Sequence, residues 1–356
     1  MLPRSNDVLS DRRGAARPRG RVVGAIVIQQ GQAYRHVVDY LADELGFKRI
    51  RLPVRADTSI RGKLRLLWGT LLDAGVLLRR RRLLTEADDV IVFSMFSTVV
   101  KLLARLGLIR YRRLFCFGFF IHSPSWFPVF RLLARLDSAR DHYILFSEAE
   151  IALYAEELGI DARRMHYLPY GDWASEQSGD TPSAEADLPA YSYYFAGGYS
   201  NRDYHSLIKA FRRIPATLLI ACSTLNRDVD EASLPTNIKV VRNVPSDIFD
   251  THVRWAKACI IPLKNDTGAS GQSVMLRLMR NGKVIIASDV GGLHAYVANG
   301  VSGYLVRDMA GELPGIIAQI EADPDAASLM GKAAHARYCS HYSRAAVSGS
   351  LRRILT

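Results

Sequence analysis

The chain has 356 residues, 49% of them hydrophobic and 23% charged, with 47 Lys+Arg against 35 Asp+Glu for a formal net charge of +12. That composition is ample for packed cores, which excludes disorder for most of the chain, and the length suggests about two domains. Ten of the twelve net positive charges fall in residues 1–172, so an anionic partner belongs to the first half.

Residues 1–20 are rich in Arg, Pro and Gly and lack the apolar stretch of a secretory signal; they read as a disordered basic tail. The longest apolar stretch, Leu64 to Leu78, is broken by Arg65 and Asp73 and is too short to span a membrane. Cys116, Cys222, Cys259 and Cys339 are far apart and lack metal-ligand spacing, so buried reduced thiols and a cytoplasmic chain are expected.

Residues 21–172 read as one α/β domain. Val22–Ile28 is a continuous β-branched run, as in a strand buried on both faces, and helix-periodic sequence follows from Tyr34 to Leu45. Further runs at Val90–Phe93, Leu114–Ile121 and Tyr143–Phe146 are each followed by helical sequence, the pattern of βαβ units in a parallel sheet. Residues 61–84 mix Leu and Trp with Arg and Lys and include four successive arginines, Arg79–Arg82; Leu102–Arg113 and Arg131–Arg140 add further Leu/Arg-rich sequence. Such a face suits an anionic membrane surface, or is the solvated turn of an ordinary core helix. Nucleic acid is disfavoured because no helix-turn-helix, zinc-finger or RNP pattern accompanies the cations.

Residues 173–190 have the Ser, Glu, Asp, Pro and Gly content of a linker. The alternation then resumes over 191–335, with strands predicted at Tyr193–Ala196, Thr217–Ala221, Ile238–Val241, Ala258–Leu263 and Val284–Ser288. Residues 336–356 read as a closing helix that packs back on the first domain.

Three glycine-containing loops follow strands of this second half. Gly197-Gly198-Tyr199-Ser200-Asn201-Arg202 opens a helix; its Ser and Asn are expected to cap that helix, leaving amides that with Arg202 hold a phosphate. Gly268-Ala269-Ser270-Gly271-Gln272-Ser273 precedes the apolar helix Val274–Met279, and Asp289-Val290-Gly291-Gly292 follows the strand at Val284–Ser288. Ligands bind open parallel sheets beyond the carboxyl ends of the strands, so three such loops point to a phosphate-bearing ligand. No Walker A loop and no G-x-G-x-x-G after the first strand is present. In the first half, His122 follows the run ending at Ile121 and is either a proton-transfer group or a satisfied loop histidine.

At this level of detail the chain resembles a known family. Tyr167-Leu168-Pro169-Tyr170-Gly171-Asp172-Trp173, the Gly197–Tyr204 segment with Leu207-Ile208-Lys209-Ala210-Phe211, and Gly282-Lys283-Val284-Ile285-Ile286-Ala287-Ser288-Asp289-Val290-Gly291-Gly292 with Gly300 and Gly303-Tyr304-Leu305-Val306 match, in order, segments of glycosyltransferase family 4 (group 1). The resemblance implies a GT-B fold: two Rossmann-like domains with parallel sheets facing across a cleft, the donor on the second and the acceptor on the first. It implies a metal-independent hexosyltransferase that uses a nucleotide diphosphate sugar as substrate, needs no cofactor, and acts in surface glycan synthesis on a lipid-linked or polysaccharide acceptor. The enzyme would be cytoplasmic and peripheral on the inner membrane face, with no nucleic-acid partner.

Carried onto this sequence, the donor site comprises Gly198, Ser200, Asn201, Arg202, Asp266, Ser270, Gly271, Gln272, Ser273, Arg277, Gly291 and Gly292. His122 is the expected catalytic group, with Gln30 and Gly31 on the acceptor side. One departure stands out. The family's Glu-x7-Glu pair falls on Ala269 and Arg277, so both carboxylates are missing. That loss favours, as an alternative, a non-catalytic GT-B-like partner subunit; a nucleotide-sugar epimerase on the same fold is a third reading.

Overall fold

The computed structural model describes residues 24–29, 34–52, 72–93, 97–121, 124–173, 192–224, 226–264 and 270–356. They include two six-stranded sheets. Every strand pairing given in register is parallel, as the apolar runs predict. The chain divides into two compact units, Met1–Phe119 with Arg135–His142, and Phe120–Ala134 with Tyr143–Thr356.

The first sheet contains β1 (Gly24–Gln29), β2 (Lys48–Leu52), β3 (Asp89–Phe93), β4 (Arg113–Phe117), β5 (Asp141–Leu145) and β6 (Met165–Tyr167), in the order β2-β1-β3-β4-β5-β6. The intervening helices are α1 (Arg35–Asp39, continued by a π-helical turn to Glu44), α2 (72–79), α3 (Arg81–Glu86), α4 (Ser97–Arg105), α5 (Phe127–Ala134) and α6 (Ala149–Leu158). All five residues of β3 are buried, which is why its sequence has no polar alternation. β4 stops at Phe117, because Gly118 turns the chain with φ +63°, so the expected run to Ile121 is four residues too long. His122, Gln30 and Gly31, the tail at 1–20, residues 61–71 and the linker beyond Trp173 lie outside the described residues.

The second sheet contains β7 (Tyr193–Gly197), β8 (Thr217–Cys222), β9 (Ile238–Arg242), β10 (Ala258–Ile261), β11 (Val284–Ser288) and β12 (Tyr304–Val306), ordered β12-β11-β10-β7-β8-β9. This is the doubly wound order, with its reversal of direction between β7 and β10. Alternate residues of each strand serve opposite faces. Tyr193, Phe195, Cys259 and Ile261 join one core with α8 (Ser246–Trp255) and α9 (Gln272–Arg280). Tyr194, Ala196, Ala258 and Ile260 join the other with α7 (Tyr204–Phe211) and α10 (Met309–Ala322).

The chain closes with α11 (Pro324–Arg337), a π-helical turn and α12 (Arg344–Leu355). This end is fastened within the second unit, where the Asp172 amide donates to the Tyr342 carbonyl (2.8 Å) and Arg344 reaches the Trp173 carbonyl (3.3 Å). Cys116, Cys222 and Cys259 are buried free thiols; Cys339, expected to be buried, is exposed on the π-helical turn.

Candidate functional site

Two loops meet where the second sheet reverses direction, one after β7 and one after β10. Arg202 and Leu263 form an isolated antiparallel bridge there, with the Asp203 amide donating to the Pro262 carbonyl (3.0 Å). In front of the bridge lies a cavity of about 420 Å³ lined by Gly198, Tyr199, Ser200, Arg202, Ser270, Gly271, Gln272, Ser273 and Arg277, with Tyr170, Val244, Ser246, Phe249 and Val274 completing its wall. Eight of the residues assigned to the donor site from sequence therefore share one cavity.

The glycines of the first loop have distinct steric causes. A side chain at Gly197 would put its Cβ 2.3 Å from the Phe249 ring, and one at Gly198, where φ is +126°, would put it 2.2 Å from Nη2 of Arg202. Arg202 itself is 4% exposed. Its Nε donates to the Gly197 carbonyl (3.2 Å) and its Nη1 to that of Ser200 (2.6 Å). Among the described residues no carboxylate is ion-paired with it, and burial lowers its pKa from the usual arginine value.

The remaining carbonyls of the loop are also taken. Gly198 accepts from the Tyr204 hydroxyl (2.7 Å), Tyr199 from the Asn226 amide (3.0 Å) and Asn201 from the Lys264 amide (3.2 Å). All five carbonyls from Gly197 to Asn201 thus accept from the scaffold, while the amides of Tyr199 and Ser200 donate to no described residue. The loop offers hydrogen-bond donors beside a buried cation, a composition suited to an anion.

The helix termini correct one expectation. α7 is capped by Asp203, whose carboxylate accepts from the Ser206 amide (3.0 Å), rather than by Ser200 or Asn201. Its positive end is therefore already occupied. α9 is the uncapped one: Gly271 enters it with φ +84° and no side chain caps it. The amides of Gln272, Ser273 and Val274 donate to no described residue, so α9 takes over the role expected of α7.

Arg277, on α9, is held from α8. It stacks over the Phe249 ring (5.2 Å), lies 3.6 Å from the Asp250 carboxylate and donates to the Ser246 hydroxyl. Asp250 is shared with Arg280, which also reaches Asp172 (3.2 Å). Phe249 and Ser246, which sequence reasoning missed, are residues of an ordinary amphipathic helix; only their position across from α9 marks them.

The third predicted loop lies apart from this wall. Gly291–Leu293 form a 3-10 turn, Gly292 does not line the cavity, and Asp289 is engaged by Arg307 (2.8 Å) and His294, which lowers its pKa. The loop supports the site from behind, with Leu293 fully buried and the Ser288 hydroxyl bonded to both the amide and the carbonyl of Leu263. Asn201, at φ +55°, shapes the loop without lining the cavity. Asp266 lies outside the described residues. Among the described residues no cluster of three His, Cys, Asp or Glu side chains could hold a metal ion.

Residues 191–323 match the family model described as "Glycosyl transferases group 1". No curated protein matches the chain. Among solved structures, Alr3699/HepE from Anabaena in complex with UDP superposes with a TM-score of 0.69 at 16% identity, covering 93% of this chain and 99% of that one. A glycosyltransferase from Rickettsia africae gives 0.70 at 12% identity (94% and 98%), and sucrose-phosphate synthase from Thermosynechococcus elongatus 0.67 at 16% (93% and 98%). The fold is therefore that of the GT-B glycosyltransferases.

Proposed function

We propose that this chain, a GT-B-fold protein with a group 1 glycosyltransferase domain at residues 191–323, transfers a hexosyl group from a nucleotide diphosphate sugar to a lipid-linked or polysaccharide acceptor. The observation that carries the donor half of this reading is the pairing of Arg202, buried and without a carboxylate partner among the described residues, with the uncapped start of α9 in one cavity. A similar fold has been solved with UDP and with UDP-glucose, which favours a uridine nucleotide.

In transfer, the bond from the sugar's anomeric carbon to the diphosphate oxygen breaks and one to an acceptor oxygen forms. Charge grows on the departing diphosphate. The Arg202 guanidinium, the Tyr199 and Ser200 amides and the first turn of α9 would stabilise it without reorganising, and in this reading they act with neither a metal nor a resident cofactor. The acceptor's proton would pass to His122, with Gln30 and Gly31 on the acceptor side; Asp266, Gly291 and Gly292 would serve the donor only as flanking groups. The acceptor is assigned by charge, since the surplus in residues 1–172 suits a phospholipid-linked glycan at the inner, cytoplasmic membrane face.

Calorimetric titration of the purified chain with UDP, GDP and ADP, with and without chelator, tests this. Binding of one nucleotide that survives chelation is expected; binding of none would overturn the reading. A second reading, a non-catalytic partner subunit, is favoured by the arginine at position 277. Donor hydrolysis or transfer that disappears in Arg202→Ala, with folding intact, would exclude it.

A further inference from the structure

Within the first unit, the arginines divide into two populations. Arg49, Arg112 and Arg113 each pair with an aspartate at 2.9 Å or less. The four arginines at 79–82 and Arg110 are exposed, and none pairs with a described carboxylate. Arg81, Arg82 and Arg110 line one surface groove with Leu108, between α3 and the turn after α4, where Glu86 is the only acid among the described residues. The Thr85 hydroxyl, 3.4 Å from the Arg110 carbonyl, ties the two walls together.

Leucines stand exposed beside these cations: Leu106 is 62% and Leu108 46% accessible, and Leu102, one helical turn before Leu106, is 45%. Their neighbours Leu103 and Ile109 are buried in the core, so the segment had apolar residues to spare for solvent only on this side. The exposed leucines leave apolar surface in water, and the clustered arginines beside them repel one another and attract anions.

We propose that this groove and its leucine rim dock on an anionic phospholipid bilayer, with the leucines entering the acyl boundary and Arg81, Arg82 and Arg110 meeting headgroup phosphates. Cations beside an apolar edge are what interfacial binding requires. A single-stranded nucleic acid would call for stacking surfaces as well, and the one aromatic residue between 97 and 113, Tyr111, is buried. The proposal rests on the membrane-facing acceptor reading only for its purpose; the binding itself needs neither donor nor acceptor.

The test is sedimentation of the full chain with phosphatidylcholine vesicles, with and without phosphatidylglycerol. Binding only to the anionic vesicles is expected, weakened more than about tenfold by the triple change Arg81→Glu, Arg82→Glu, Arg110→Glu. Leu106→Ser with Leu108→Ser should remove the part of the binding that resists high salt. Each variant is checked by nucleotide titration, so a lost vesicle interaction with intact nucleotide binding separates this proposal from the donor reading. Should the charge variant fail to fold, Leu106→Trp in the otherwise native chain reports insertion, as fluorescence beyond that of the native chain that brominated lipids quench. Equal sedimentation with neutral vesicles, unchanged binding by the variants, an added fluorescence in Leu106→Trp that brominated lipids leave unquenched, or an RNA that competes while the leucine changes have no effect would each overturn it.

Discussion

Gly198 and Arg202 occupy each other's space: a Cβ on the glycine would fall 2.2 Å from the arginine's Nη2. The missing side chain is what lets a guanidinium lie buried against its own loop, with two donors on carbonyls and its charge beside the cavity. Gly198→Ala should therefore displace Arg202, strain a φ of +126°, and abolish nucleotide binding about as fully as Arg202→Ala does. Arg202→Lys should not rescue, because an ammonium cannot span the Gly197 and Ser200 carbonyls together. Calorimetry on the three variants checks this.

A glutamate at position 277 should not be tolerated. Arg277→Glu would set a carboxylate against Asp250, where an arginine now lies at 3.6 Å, and would remove the cation from the Phe249 ring. A loss of about 1–3 kcal/mol in urea unfolding is expected, recovered in part by adding Asp250→Asn.

Lys101 and Asp137 form an ion pair at 2.8 Å with both side chains 5% exposed. Lys101→Met alone leaves a buried carboxylate and should cost about 3–5 kcal/mol, whereas Lys101→Met with Asp137→Leu should cost much less. A double-mutant cycle by chemical denaturation measures the difference.

His252 is 5% exposed, stacks on Phe195 and has a buried Nδ1 without a hydrogen-bond partner among the described residues, and burial lowers its pKa. The unfolded chain takes up this proton first as pH falls through about 6.5, so stability contributed by the neutral ring is full above that pH. Below it the loss should approach about 1.4 kcal/mol per pH unit until the folded-state pKa is reached. In His252→Phe this component should vanish, which unfolding midpoints of the two proteins at pH 7 and pH 5 (about two units apart) would reveal.

The edges of the sheets show where sequence reading loses its hold. The strands it missed are β2, β6 and β12, each at the edge of its sheet. β2 carries Lys48, Arg49 and Arg51 beside only two buried residues, Ile50 and Leu52, and β6 and β12 have three residues each. An edge strand has one neighbour and needs no long apolar run, so it leaves little periodic signal. The central strands were legible because burial on both faces demands uninterrupted apolar residues.

The candidate site divides along the same line. The sequence by itself determined two α/β halves, the inner strands of each, and glycine loops after β7 and β10, since strand burial and tight turns are imposed within a few residues of chain. Only the tertiary structure decided which helix end is open. Asp203 closes α7 from one position away, whereas α9 is left uncapped, and the cavity wall is completed by Phe249 and Ser246 from α8. Arg277 likewise has the partners Asp250 and Ser246 only because α8 and α9 pack on the same face of the sheet. Such pairings join residues 27 and 31 positions apart, and no local pattern records them because their energy depends on packing, not on neighbours in the chain.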